Sequence, residues 1–208
     1  MTIPYPVTIL LGSIAEAAAA DLGIMMAIAL ADEEGSLLFF IRMDKALPAS
    51  TEIAISKAYT AAALRMSTRE AGRLALPGEA LYGIQHTHSG KIILFGGGIP
   101  LCLGGQVVGG IGVSGGTVEE DELVAEAAVK AFAEMAELAE KIRPCLVEVL
   151  NNREPSTSLE KQLWEAFRGD VFLLPKEISR LLAGALILAL RGHPPRPTAA
   201  PAGRNLPK

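Results

Sequence analysis

Three histidines occur in the 208 residues, and two of them stand one residue apart in His86-Thr87-His88. In an extended backbone, alternate residues share a face, so this spacing puts both imidazoles on one side, about 7 Å apart by strand rise. From there they could ligate a metal or a heme iron, although no third histidine and no H-x-E or E-x-x-H context stands beside them. The plainer reading is two solvated or backbone-bonded histidines before a turn.

Gly110-Ile111-Gly112-Val113-Ser114-Gly115 satisfies G-x-G-x-x-G, but it lies within a strand, and no acid follows about 20 residues on to hold a ribose. Its glycines read instead as places where another backbone approaches closely. Gly115, Gly116 and the amide of Thr117 could hold an anion at the start of the following helix. Arg42 and Asp44 flank Met43, with Lys57 on the next helix. Exposed, such charges form a surface pair of small worth; buried, they could position a ligand. Ser114 lacks a nucleophile-elbow spacing and His193 falls in a Pro-rich tail, so hydrolase chemistry has little support.

The elements that must place these residues follow from composition and periodicity. The Ala-rich run from Pro6 to Leu22 predicts a helix closed by Gly23. Two apolar runs around Asp32-Glu33-Glu34-Gly35 predict a β-hairpin, and Ser50 to Met66 predicts a second helix. From Ile84 to Ser114 the segments KIILF, IPLCL and QVVGGIGVS predict closely spaced, antiparallel strands. Thr117-Val118-Glu119-Glu120 has the form of a capping box and opens a long helix through Lys141. The expected class is α+β, with a central antiparallel sheet of about five strands flanked by helices.

The domain is expected to span 1–145. A linker at 146–158, a helical extension at 159–191 with Leu159, Leu163 and Phe167 on one face of a helix that also carries Trp164, and a disordered Pro-rich tail at 192–208 come after it.

Half the residues are hydrophobic and only 5% aromatic, and 19 Lys+Arg stand against 23 Asp+Glu. That composition supports a packed core of small and branched side chains and gives nucleic acid no basic surface. The N-terminus lacks the cationic start of a secretory signal, and the apolar run Leu181 to Leu190 is too short to span a bilayer. Cys102 and Cys145 have no CxxC spacing and read as reduced core thiols in a cytoplasmic protein.

Five segments in order carry a resemblance. They are Ile28-Ala29-Leu30 with Asp32 and Gly35, Phe40-Ile41-Arg42-Met43-Asp44, Ser56 to Ala61, Gly97-Gly98-Ile99-Pro100-Leu101, and Gly109 to Asp121. Over residues 5–143 the chain resembles the heme-binding GlcG/HbpS-like family, also found as the C-terminal domain of PduO-type corrinoid adenosyltransferases. The resemblance implies a central antiparallel sheet and a homo-oligomer, often an octamer. It further implies a heme cofactor, with a role in corrinoid-dependent or glycolate/diol metabolism or in a bacterial microcompartment.

Two departures stand out: a family glycine after the RMD motif is Lys45 here, and the first helix has no histidine, where one member has its heme ligand. The axial candidates are then His86, His88, Met25 and Met26, with Arg42 and Lys57 counted in the same site. No adenosyltransferase half is expected, and the expected function is a non-catalytic tetrapyrrole-binding accessory. The alternatives are a microcompartment cargo or scaffold protein docking through its C-terminal helices, and a small-molecule enzyme using Arg42, Asp44 and Lys57.

Overall fold

A computed structural model describes residues 3–151, with side chains through 141. The expectations for 159–191, for 192–208 and for the Cys145 thiol lie outside the described residues. Helix α1 (Tyr5–Asp21) leads into the hairpin β1 (Ala27–Asp32) and β2 (Leu37–Arg42); α2 (Ser50–Leu64) and the short α3 (Thr68–Leu74) come next. After a loop come β3 (Gly98–Leu103), β4 (Gln106–Ser114) and α4 (Val118–Asn151). The sheet is antiparallel throughout, in the order β2-β1-β4-β3.

It has four strands where about five were expected, because KIILF does not join it. Residue 91 ends a turn and 92–94 are irregular. The Thr60 hydroxyl of α2 takes over their backbone, lying 3.2 Å from the Lys91 carbonyl and accepting the Ile93 N–H at 3.0 Å. A side chain supplies partners there that a neighbouring strand would otherwise have to supply.

Strand alternation gives the sheet two unlike faces. On one, Met26, Ile28 and Leu30 share a core with Ile111 and Val113 of β4, Val7 and Leu11 of α1, and Val124, Phe132 and Met135 of α4. On the other, Ala27, Ala29 and Ala31 pack on Ala54 and Ala58 of α2. In register with them, Gly112 pairs with Ala29 and Gly110 with Ala31. A Cβ on Gly112 would collide with the Ala54 carbonyl oxygen, and one on Gly110 would stand 2.5 Å from that of Ala58. The G-x-G-x-x-G pattern is therefore a seam where a helix backbone rests directly on a strand, as its position within a strand implied.

The capping box forms as expected. Glu120 N–H donates to Thr117 Oγ1 at 3.3 Å, and Thr117 N–H donates to Glu120 Oε2 at 2.7 Å. Helix α4 continues past Lys141 and Pro144 to Asn151, so no element ends at the expected domain boundary. Cys102 is a free thiol but an exposed one. It sits on the edge strand β3 where the register shifts between Leu101 and Cys102, which turns its side chain out of the core.

Candidate functional site

Lys57 is the largest fully buried side chain among the described residues. Its ammonium donates to Asp121 Oδ2 at 2.7 Å and to the Val113 carbonyl at 2.8 Å, and it lies 4.8 Å from the centre of the Phe95 ring. One cation thus ties α2 to the end of β4 and the first turn of α4. Gly97, at φ +104, makes room for it, since a Cβ there would come within 2.7 Å of Nζ. Burial pushes the Lys57 ammonium below its ordinary pKa and the Asp121 carboxyl above its own, and the mutual bond opposes both shifts.

Asp121 also accepts the Gly116 amide at 3.0 Å. That fact corrects two sequence readings. The anion at Gly115, Gly116 and Thr117 is the protein's own: Asp121 occupies the glycine amides, and Glu120 occupies that of Thr117. Lys57 has no cation to offer a ligand, because burial and these bonds commit it to Asp121 and the Val113 carbonyl. Arg42 and Asp44 are exposed at the end of β2.

The histidine pair is not on an extended segment. His86 closes one short 3-10 turn (Ile84–His86) and His88 opens another (His88–Gly90), with His88 and Ser89 at φ 51 and 56. The predicted common face is lost, because left-handed backbone at His88 breaks the alternation. Both rings are exposed.

The bonding around His88 nonetheless braces its ring. The Thr87 hydroxyl has a single proton and donates it to the Ile84 carbonyl at 2.6 Å; the same oxygen lies 2.7 Å from His88 Nδ1. Nδ1 is thus engaged by the Thr87 oxygen, and Nε2 is the ring nitrogen left for a ligand. That is how a metal-ligating imidazole is oriented by a second partner. The ring stands 6.2 Å from that of Tyr59, tilted by 55°, and Lys91 Nζ lies 5.7 Å from the centre of the Tyr59 ring. Beside it, a cleft of about 590 Å³ opens between the hairpin tip at Gly35 and α2, lined by Tyr59, Ile55, Leu37 and Lys91. A Cβ on Gly35 would strike the Tyr59 ring at 2.5 Å. Next door, Gln85 Oε1 is the one buried side-chain acceptor without a partner among the described residues.

Met26 is fully buried and its amide contacts Met43 Sδ at 3.4 Å, so the core holds it and it presents no sulfur to a ligand. Met25 is 38% exposed before β1. A Cβ on Gly115 would meet the Met25 carbonyl, so Met25 sits against the head of α4, whereas His88 sits against α2.

Sequence reading missed Asp121, Tyr59 and Thr87 as partners, and it missed α3. The signal for α3 was present in Ser67-Thr68-Arg69-Glu70, where the Ser67 hydroxyl accepts the Glu70 N–H at 3.1 Å. From α3, Arg69 then makes a two-pronged bond to Glu122, with Nε to Oε1 at 2.6 Å and Nη2 to Oε2 at 2.5 Å.

This α+β domain, with one helix laid on a Gly/Ala sheet face through a buried Lys–Asp clasp, belongs to the HbpS-like family. The family model, described as "Haem degrading protein HbpS-like", matches residues 8–130. The chain is 44% identical over 120 residues to an uncharacterized 15.0 kDa protein from the dhaT-dhaS intergenic region of Citrobacter freundii, covering 58% of this chain and 84% of that one. It is 40% identical over 114 residues to the corrinoid adenosyltransferase PduO of the same organism, covering 55% of this chain but only 34% of PduO. Among solved structures, a PduOC:heme complex superposes with a TM-score of 0.60 at 35% identity, covering 62% of this chain and 94% of that one.

Proposed function

We propose that the protein binds heme, with His88 Nε2 as the axial donor, and acts as an oligomeric, non-catalytic accessory to corrinoid-dependent or glycolate/diol metabolism. The family membership and the similarity to PduOC, solved with heme, support a tetrapyrrole ligand. The observation that supports the residue assignment is the Thr87 hydroxyl, whose oxygen lies 2.7 Å from His88 Nδ1 and so leaves Nε2 for the iron. The donor set fits the group: an exposed imidazole stands beside aromatic Tyr59 and cationic Lys91, near a partly apolar cleft.

When bound, heme would supply iron coordination and the redox chemistry that goes with it. The chain's own part is to brace the His88 ring through Thr87 and to present Lys91 to an acidic edge. The clasp at Lys57 takes no part in ligation, being sealed among protein atoms. Its contribution is to hold α2, and so Tyr59, in place. With no described helix long and apolar enough to cross a membrane, the cytoplasm and the interior of a microcompartment suit such a role.

Hemin titrated into the full chain should shift the Soret band, saturating near one equivalent per subunit or per interface. His88→Ala should abolish or displace that shift, and His86→Ala should leave it in place. A titration without a shift removes the heme reading; a shift indifferent to His88→Ala removes the ligand assignment. Steady loss of the bound Soret band in air with added reductant would show the breakdown chemistry that the family description names, and would remove the non-catalytic reading.

A further inference from the structure

A groove of about 940 Å³ runs between the end of α1, the start of α3, Ile99 of β3 and one flank of α4. Leu22, Ile99, Leu123, Ala127, Val129 and Ala133 give it an apolar floor. Leu22 and Leu123 remain 40% and 54% exposed there. No residue lining the groove belongs to the His88 loop or to the cleft beside Tyr59.

The sequence contains an apolar stretch in search of a partner. Leu181-Leu-Ala-Gly-Ala-Leu-Ile-Leu-Ala-Leu190 is ten residues without a charged or polar side chain, bracketed by Arg180 and Arg191. Such a run in water demands a cover, and it is too short for a bilayer. We propose that Leu181–Leu190 of this same chain occupies the groove.

Reach permits it. The described chain ends at Asn151, 18 residues beyond Ala133 on α4, or about 27 Å along the helix axis. The 29 residues from 152 to 180 can cover about 44 Å even at helical rise, and about twice that when extended. Charge agrees as well. The groove's rim carries Asp21 and Glu126 in addition to Glu122, which Arg69 already holds, against the single further cation Lys130. Two bracketing arginines meet a rim with an excess of carboxylate, and the uncharged run between them meets the apolar floor.

The test uses the full-length protein with Leu123 replaced by the photo-crosslinking residue p-benzoylphenylalanine, a change that an exposed position accepts. Irradiation should link residue 123 to a peptide within 180–191 of the same chain, at the mass of one subunit. A link that joins two chains, or one that maps to any other segment, overturns the proposal, and so does the absence of any link. Amide hydrogen exchange gives an independent measure. Residues 181–190 should be protected in the parent and should exchange at least about tenfold faster in Leu123→Asp. Exchange at the free-peptide rate in the parent, or protection unchanged by Leu123→Asp, also overturns it.

Discussion

The two faces of the sheet reach the same end by opposite means. Toward α1 and α4 the strands present Ile28, Leu30, Ile111 and Val113, and the helices answer with Leu11, Phe132 and Met135, so stability there comes from buried volume. Toward α2 the same strands present Ala29, Ala31, Gly110 and Gly112, and the helix backbone comes down until its carbonyls would touch a Cβ. Little apolar area is available on that side. What compensates is closeness, together with a buried ion pair that fastens α2 to α4. A small-residue face needs a fastener; a large-residue face does not.

The largest effect should come from undoing that fastener. Lys57→Met leaves Asp121 buried without its counter-ion, and urea unfolding should show a loss of about 3–5 kcal/mol. Lys57→Met/Asp121→Asn, which keeps an oxygen for the Gly116 amide, should recover a substantial part of it. The pH dependence has a definite sign. Without Lys57, burial acts on Asp121 unopposed by the ammonium, so its folded pKa rises further above the unfolded one. The folded state then binds more protons in that window, and stability falls as pH rises through it. The deficit should be smallest in acid and grow toward neutrality; a deficit that shrinks with rising pH would mean that Asp121 is not the orphaned group.

Next in size are two changes of opposite kind. Ile111→Ala, on the large-residue face, should cost about 2–5 kcal/mol by leaving a cavity. Gly112→Ala, one residue away on the other face, adds a methyl and should cost about 1–3 kcal/mol by overpacking, since its neighbours are backbone atoms of α2. If Gly112→Ala proved neutral in thermal unfolding, α2 would not rest on the strand as closely as described, and the contrast between the faces would fail.

The smallest effect concerns the connection that delivers α2 to its face. Lys45 stands at φ 68, a left-handed conformation that costs a residue carrying a Cβ. Lys45→Gly should therefore stabilise by about 0.5–1 kcal/mol, visible as a small rise in Tm.

How much of this was legible beforehand depended on the range over which each signal acts. The hairpin at Asp32–Gly35, the capping box at Thr117 and Glu120, and helices α1 and α2 were all readable, because turn residues and 3.6-residue periodicity act over a few positions. KIILF misled because its composition suits a strand, while Thr60, more than thirty positions away, supplies the partner that decides the matter. Lys57 was visible as a charge, but its burial was not, because its partner Asp121 lies 64 positions on. His88 was identified by residue type and misjudged in geometry, since left-handed backbone in a non-glycine residue leaves no local sequence trace.

The seam beneath α2 also limits how the sequence can drift. At Gly110 and Gly112 there is no smaller residue to retreat to, and any larger one strikes a carbonyl of the neighbouring helix. A substitution there needs α2 to lift, and lifting α2 would draw Lys57 away from Asp121 and carry Tyr59 with it. Two glycines outside the histidine loop thus set a mechanical tolerance for it, and changes at His88 and its neighbours can be explored only while that clearance is kept.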